Sequence, residues 1–262
     1  MRLQVILHKS LFVSLTVGMA VLALSGCGKL ADKAVSPDAH LKEAQKFINA
    51  GDFQSAYRQL NEALVLVPND PEVHTNLGWL YIYTGEPDKA NTELEKLEKI
   101  APESVYTYHL RGGLYAHLNR PKDAVDNYKK ALALDAKAIR HNPRVYFDMA
   151  TSLSALQQYR QALAELQKGL ALTPTGEAVE RTNFQKAVCS AYYSLKDYPS
   201  AYKACSVAIA STDDPQEKEQ INDFVESLKL SEEMDKGDNG ASAAGKRIAP
   251  PAPGALAGPA TD

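Results

Sequence analysis

PEVHTNLGWLYIYTGEPDKANTELEKLEKIAPES, residues 71–104, is the stretch whose reading decides the fold. Within it a small residue, Gly78, is followed twelve positions later by Ala90. Large Tyr81 and Leu94 stand three and four residues beyond them, Gly85 lies between, and Pro102 closes the stretch. The same small-residue spacing recurs outward in both directions, as Ala44/Ala56, Gly112/Ala124, Ala150/Ala162 and Cys189/Ala201. Counting each first small residue as position 8 starts the repeats at Pro37, Pro71, Val105, Pro143 and Thr182, at intervals of 34, 34, 38 and 39. Self-similarity at such a period marks a stack of identical supersecondary units.

These positions resemble the tetratricopeptide repeat, whose pattern has small residues at 8 and 20, large apolar ones at 11 and 24, Ala at 27 and Pro at 32. The first repeat supplies Ala44, Phe47, Gly51, Ala56, Leu60, Ala63 and Pro68; the fourth supplies Ala150, Leu153, Ala162, Leu166, Gly169 and Pro174. The resemblance implies an all-α solenoid of about five helix-turn-helix repeats near 37–70, 71–104, 105–138, 143–176 and 182–215. Small side chains let antiparallel helices approach, larger ones fill the gaps between pairs, and proline ends each second helix. Departures are Leu97 at position 27, Ala136 and Asp213 in place of Pro, and extra residues before Pro143 and Thr182.

A capping helix is expected over 216–234. Asp214, Pro215 and Glu217 supply an N-cap, a helix-compatible proline and a capping-box acid, and Ile221, Phe224, Val225 and Leu228 make one apolar stripe. An open solenoid end needs such a cover. The Gly/Ala/Pro-rich sequence of 235–262 cannot build a core and is expected to be disordered.

The N-terminus reads as a signal peptide over 1–26: Arg2, His8 and Lys9, then a run without charge from Ser10 to Gly26. It ends in Leu24-Ser25-Gly26-Cys27, which resembles the lipobox of bacterial lipoproteins. The resemblance implies cleavage before Cys27, acylation of its thiol (palmitate being the usual label) and, with Gly28 rather than Asp following, the outer membrane of a Gram-negative cell, with the array facing the periplasm. A retained membrane anchor is the alternative. Residues 27–36 then form a tether whose nine residues beyond Cys27 reach at most ~30 Å.

The 262 residues, with a net charge of −3 and 45% hydrophobic content, exclude a polytopic membrane protein, a collagen and a fully disordered chain. Loss of residues 1–26 removes Arg2 and Lys9 from the 29 basic residues, leaving 27 against 32 acidic ones, a net charge of −5. No basic stripe suits nucleic acid. The chain lacks G-x-S-x-G, Walker-type, H-E-x-x-H and C-x-x-C motifs, so no enzyme, catalytic residue, cofactor or metal is expected. His109 and His117 are ~12 Å apart along one helix, too far to share a metal. The run Glu93–Lys99 reads as a solvated helix face. Cys189 and Cys205, at positions 8 and 24 of one repeat, are either two small buried residues or, in an oxidising compartment, a disulfide; the compartment favours the bridge.

In tetratricopeptide-repeat proteins the first helices line the concave face through positions 2, 5, 9, 12 and 13. Carried over, these are Trp79, Ile82 and Tyr83; Tyr106, His109 and His117; Arg144 and Phe147; Lys186 and Tyr193. Packing between repeats is the alternative for Phe147 and Tyr193. The Lys/Asn carboxylate-clamp pattern is missing, with Thr75 and Trp79 at those positions in the second repeat and His109 and Gly113 in the third. Lipid, compartment and array together resemble the pilotin lipoproteins of type IV pilus systems, which help secretin subunits reach and assemble in the outer membrane. The alternative is an envelope adaptor docking cell-wall hydrolases or proteases.

Overall fold

The computed structural model describes residues 36–135 and 142–237; the expected signal segment, Cys27 and most of the Pro-rich tail lie outside the described residues. Eleven helices and no strand are found among the described residues. Five pairs come first: α1 (Pro37–Asn49) with α2 (Phe53–Leu66), α3 (Pro71–Tyr83) with α4 (Pro87–Ile100), α5 (Val105–His117) with α6 (Pro121–Asp135), α7 (Pro143–Ala155) with α8 (Tyr159–Leu172), and α9 (Ala178–Ser194) with α10 (Tyr198–Ser211). A single helix, α11 (Pro215–Gly237), follows.

Helix starts are chemically specified. Ser36 accepts from the amide of Ala39 at 3.2 Å, Asp70 from Glu72 at 2.8 Å, Ser104 from Thr107 at 3.1 Å and Asn142 from Arg144 at 3.0 Å. Each satisfies an amide that the helix cannot. Within every pair the turn passes through one residue in the left-handed region, at the same place in the repeat: Gly51 (φ 73°), Gly85 (φ 72°), Asn119 (φ 55°), Gln157 (φ 59°) and Lys196 (φ 59°). Glycine adopts this without cost; Gln157 and Lys196 do not.

The small residues sit at the closest helix approaches. Ala56, Ala90, Ala124, Ala162 and Ala201 are all fully buried at 0% exposure. A Cβ on Gly78 would stand 2.4 Å from Leu110 Cδ2, and one on Gly112 2.5 Å from the ring of Tyr128. Tyr128, 1% exposed, can occupy the core only because the facing helix carries hydrogen there.

The first helices of four pairs have 13 residues, whereas α9 has 17 and begins at Ala178, four residues before Thr182. The extra turn is held by Arg181, whose Nη1 donates to the carbonyl of Thr173 at 2.9 Å at the end of α8. Cys189 on α9 and Cys205 on α10 are joined as a disulfide, with Cα atoms 5.3 Å apart. The acidic run of α4 is not wholly solvated: Glu93 is 5% exposed and accepts from His74 Nδ1 at 2.6 Å. The other ring nitrogen of His74 lies 3.0 Å from the carbonyl of Pro68.

Helix α11 takes the place that the first helix of a sixth pair would occupy. It runs alongside α9, with Lys186–Glu217 at one end and Tyr193–Ser231 at the other, and antiparallel to α10 through Tyr202–Glu232. Ile221, Phe224 and Leu228 are buried at 1%, 5% and 0%. The helix continues through Gly237, into the stretch expected to be disordered, because Tyr198 donates to Asp235 at 2.6 Å and Lys196 pairs with the same carboxylate.

Candidate partner-binding face

The first helices present one continuous inner face, and a single contact gives its curvature. Arg144 Nη2, on α7, donates to the hydroxyl of Tyr83, on α3, at 2.9 Å. These residues belong to the second and fourth pairs, so the side chains meet across the third. The face is therefore concave here, and Gly113 on α5 leaves the room. A Cβ on Gly113 would stand 2.6 Å from Trp79 Cη2, so the indole lies on bare backbone.

The N-terminal half of the face is a row of rings. Phe53 and Tyr83 stack with centroids 6.5 Å apart, Tyr83 and Trp79 lie 5.9 Å apart, and Trp79 and His109 4.9 Å apart. Tyr83 keeps 40% of its surface exposed, while Trp79 is half-buried. The indole Nε1 is buried with no hydrogen-bond partner among the described residues. Burial raises the pKa of the Tyr83 hydroxyl, with the nearby Arg144 charge opposing. The phenol stays a neutral hydrogen-bonding group.

At the centre, Asp148 organises the charges. It accepts from His109 Nε2 at 2.8 Å and from Arg144 Nε at 3.1 Å, and its side chain is 8% exposed. Burial works against the Arg144 charge, but Asp148, Tyr83 and Glu180 outweigh it and hold the guanidinium above its usual pKa. Glu180 is raised by burial, partly offset by Arg144. The guanidinium also lies 5.0 Å over the ring of Phe147 and keeps 36% of its side-chain surface exposed. The face thus offers an aromatic slab beside a fixed cation.

Not every residue expected on this face is available there. Trp79, Tyr83 and Arg144 are. Ile82 and Tyr106, like Trp79, are half-buried and pack against the cluster between α3, α4 and α5, the Tyr106 hydroxyl lying 3.5 Å from Glu72. His109, 3% exposed, is consumed by Asp148 and by ring contacts with Trp79 and Tyr128. Phe147, 5% exposed, packs edge-on against Phe184 with centroids 5.4 Å apart, so it is core between pairs. Lys186 and Tyr193 are covered by α11: Lys186 Nζ donates to Glu217 at 2.6 Å, and Tyr193 packs edge-on against Phe224. The capping helix therefore occupies the fifth pair's share of the face. His117 is exposed at the last residue of α5. Sequence reasoning missed Phe53, which starts a second helix, and Asp148, whose partner His109 is 39 residues away.

The His109–Asp148 pair has the form of a base and its orienting acid, but the buried ring is enclosed by aromatic neighbours and a substrate cannot reach it. No group of three metal-ligating side chains is found among the described residues, and no described helix is long and apolar enough to cross a membrane.

Two tetratricopeptide-repeat family descriptions match the chain, over residues 47–111 and 105–137. The array has the fold of a tetratricopeptide-repeat solenoid. A thermophilic repeat protein of Thermus thermophilus superposes with a TM-score of 0.59 at 16% identity, covering 74% of this solenoid's chain and 100% of the other. PilW, described as a widely conserved type IV pilus biogenesis factor, superposes with a TM-score of 0.54 at 18% identity, covering 78% and 93%. In sequence, a DnaJ homolog subfamily C member 7 homolog of Schizosaccharomyces pombe is 25% identical over 170 residues, 59% of this chain. The solenoid spans only 36% of that relative's length. At these identities the likenesses give the fold alone.

Proposed function

We propose that this chain is an outer-membrane lipoprotein whose solenoid holds a protein partner on its concave face, as a pilotin assisting localisation and assembly of a type IV pilus secretin. The observation that carries the binding role is the half-buried Trp79 beside the 40% exposed Tyr83, seated on the backbone of α5 and flanked by Arg144. Preordered aromatic anchors lose little entropy when they bind. A hydrophobic shelf with one cation suits an amphipathic helix or an extended segment that pairs an apolar side chain with a carbonyl or carboxylate. The Leu24–Cys27 lipobox supports the membrane address, and the shared fold with PilW supports the pilus system.

The test is to delete the gene and blot outer-membrane fractions for the SDS-resistant secretin multimer. The reading expects the multimer to disappear while monomer remains, and to return with wild type but not with Cys27→Ser or the double variant Trp79→Ala/Tyr83→Ala. Normal assembly in the deletion strain contradicts the pilotin role and directs attention to cell-wall hydrolases or proteases as the held partner.

A further inference from the structure

One edge of the solenoid carries apolar side chains that the fold leaves largely open to solvent, although the ring of Tyr57 also lies 6.1 Å from that of Tyr81. At the last turn of α2, Val65 is 80% exposed and Leu66 49% exposed, and two turns earlier on the same helix Tyr57 is 44% exposed. Tyr57, Asn61 and Val65 fall at i, i+4 and i+8, so they form one outward stripe, with Arg58 and Glu62 beside it. A side chain as exposed as Val65 gains nothing from the folded state.

The position of this edge matters more than its size. Helices α1 and α2 are antiparallel: His40 Nδ1, near the start of α1, lies 2.8 Å from Gln59 and 3.2 Å from Glu62. The chain therefore enters α1 at Ser36 on the side where α2 ends, next to Val65 and Leu66. From Ser36 back to Cys27 is nine residues, at most ~30 Å of extended chain. If Cys27 carries acyl chains in a bilayer, the end of α2 is the part of the solenoid held nearest that bilayer. The far end cannot share this constraint, although Leu230 and Met234 on α11 are 57% and 52% exposed.

We propose that the edge formed by Val65, Leu66 and Tyr57 rests in the interfacial layer of the phospholipid membrane that holds the Cys27 lipid. Short apolar side chains and a tyrosine ring suit the headgroup–acyl boundary, where Arg58 and Glu62 stay in water. A single lipid on a tether leaves an array free to tumble; this second contact fixes its orientation and holds the concave face at a set height. The inference rests on the lipid-anchor reading.

The experiment uses the full lipidated chain, purified from membranes and reconstituted into phosphatidylethanolamine/phosphatidylglycerol vesicles with or without brominated acyl chains. The protein has one tryptophan, so Trp79→Phe provides a silent background for Val65→Trp or, as the control, Leu230→Trp. The expected result is at least a twofold loss of emission at position 65 in brominated vesicles, and no loss at position 230. Equal emission at 65 in both vesicles overturns the proposal, as does equal quenching at both positions. A doubled particle mass in detergent with no quenching at 65 means that a second copy covers the edge, which also overturns it. Mass spectrometry of the same preparation separates the two readings. Without acyl mass on Cys27 the anchor reading fails and this inference with it; with acyl mass and no quenching, only the membrane edge fails.

Discussion

Gly112 and Gly113 are neighbours on α5 whose replacement by alanine has opposite consequences. At Gly112 the new Cβ stands 2.5 Å from the ring of Tyr128, which is 1% exposed and walled in by the core. Overpacking of that kind costs ~1–3 kcal/mol, against ~1 kcal/mol gained by placing Ala rather than Gly in a helix. Tyr128 has no room to yield, so the cost falls in the upper part of that range, ~2–3 kcal/mol, and the net expectation is a loss of about 1–2 kcal/mol. At Gly113 the Cβ meets Trp79 Cη2 at 2.6 Å, about 0.8 Å inside the 3.4 Å at which ordinary contact begins. Trp79 borders the open concave face, so its indole can slide outward by that amount, and the strain falls near the low end, ~1 kcal/mol, cancelled by the helix gain. Gly112→Ala should therefore lower the thermal midpoint by about 2–8 °C and leave the Trp79 emission maximum in place. Gly113→Ala should hold the midpoint within about 2 °C and shift the emission of the sole tryptophan to longer wavelength. Thermal melts followed by circular dichroism, with emission spectra of the same samples, give both readouts. Equal destabilisation by the two variants, or unchanged emission in Gly113→Ala, would refute the seating of Trp79 on bare backbone.

Replacing Cys189 and Cys205 together by serine opens a bridge between residues 16 apart; the loss should be ~3 kcal/mol and lower the midpoint by about 6–12 °C, read by calorimetry of the oxidised and variant chains. Gln157→Gly relieves a left-handed backbone at φ 59° on an exposed turn and should stabilise by ~0.5–1 kcal/mol, measured as a higher urea midpoint at unchanged slope. Glu180 has its folded pKa raised, chiefly by burial, so the folded chain binds its proton more tightly than the unfolded one. The advantage is fully present below the unfolded pKa and is lost as pH rises through the folded value. Glu180→Gln should then raise the midpoint relative to wild type more at pH 7 than at pH 4, and a gap that shrinks toward pH 7 would contradict the assignment.

The helical pairing was legible because it depends on small residues at fixed spacing: Ala44 to Ala201 mark backbone approaches that no larger side chain permits. The repeat also exposed positions 189 and 205 as neighbours on facing helices, and the bridge follows that placement. What the period could not carry were contacts between repeats. Asp148 reads as one more surface acid until His109 and Arg144 are brought to it, and Glu93 sits in a charged run whose buried partner, His74, lies in the preceding helix. The start of α9 escapes the period for a similar reason. Its extra turn is fixed by Arg181 reaching back to Thr173, a contact with no local signature. At the C-terminal end, Lys186 and Tyr193 occupy groove positions by count, yet they serve α11, because the capping helix fills the place a sixth repeat would leave open.

The central claim is that a partner is held on the concave face. A photoreactive amino acid placed in living cells at position 83, on that face, and at Val207, 41% exposed on α10, tests it most directly. The account predicts a light-dependent adduct of solenoid and secretin subunit from position 83 and none from position 207. An adduct from 207 alone, or none from 83 while the secretin still assembles, would contradict it.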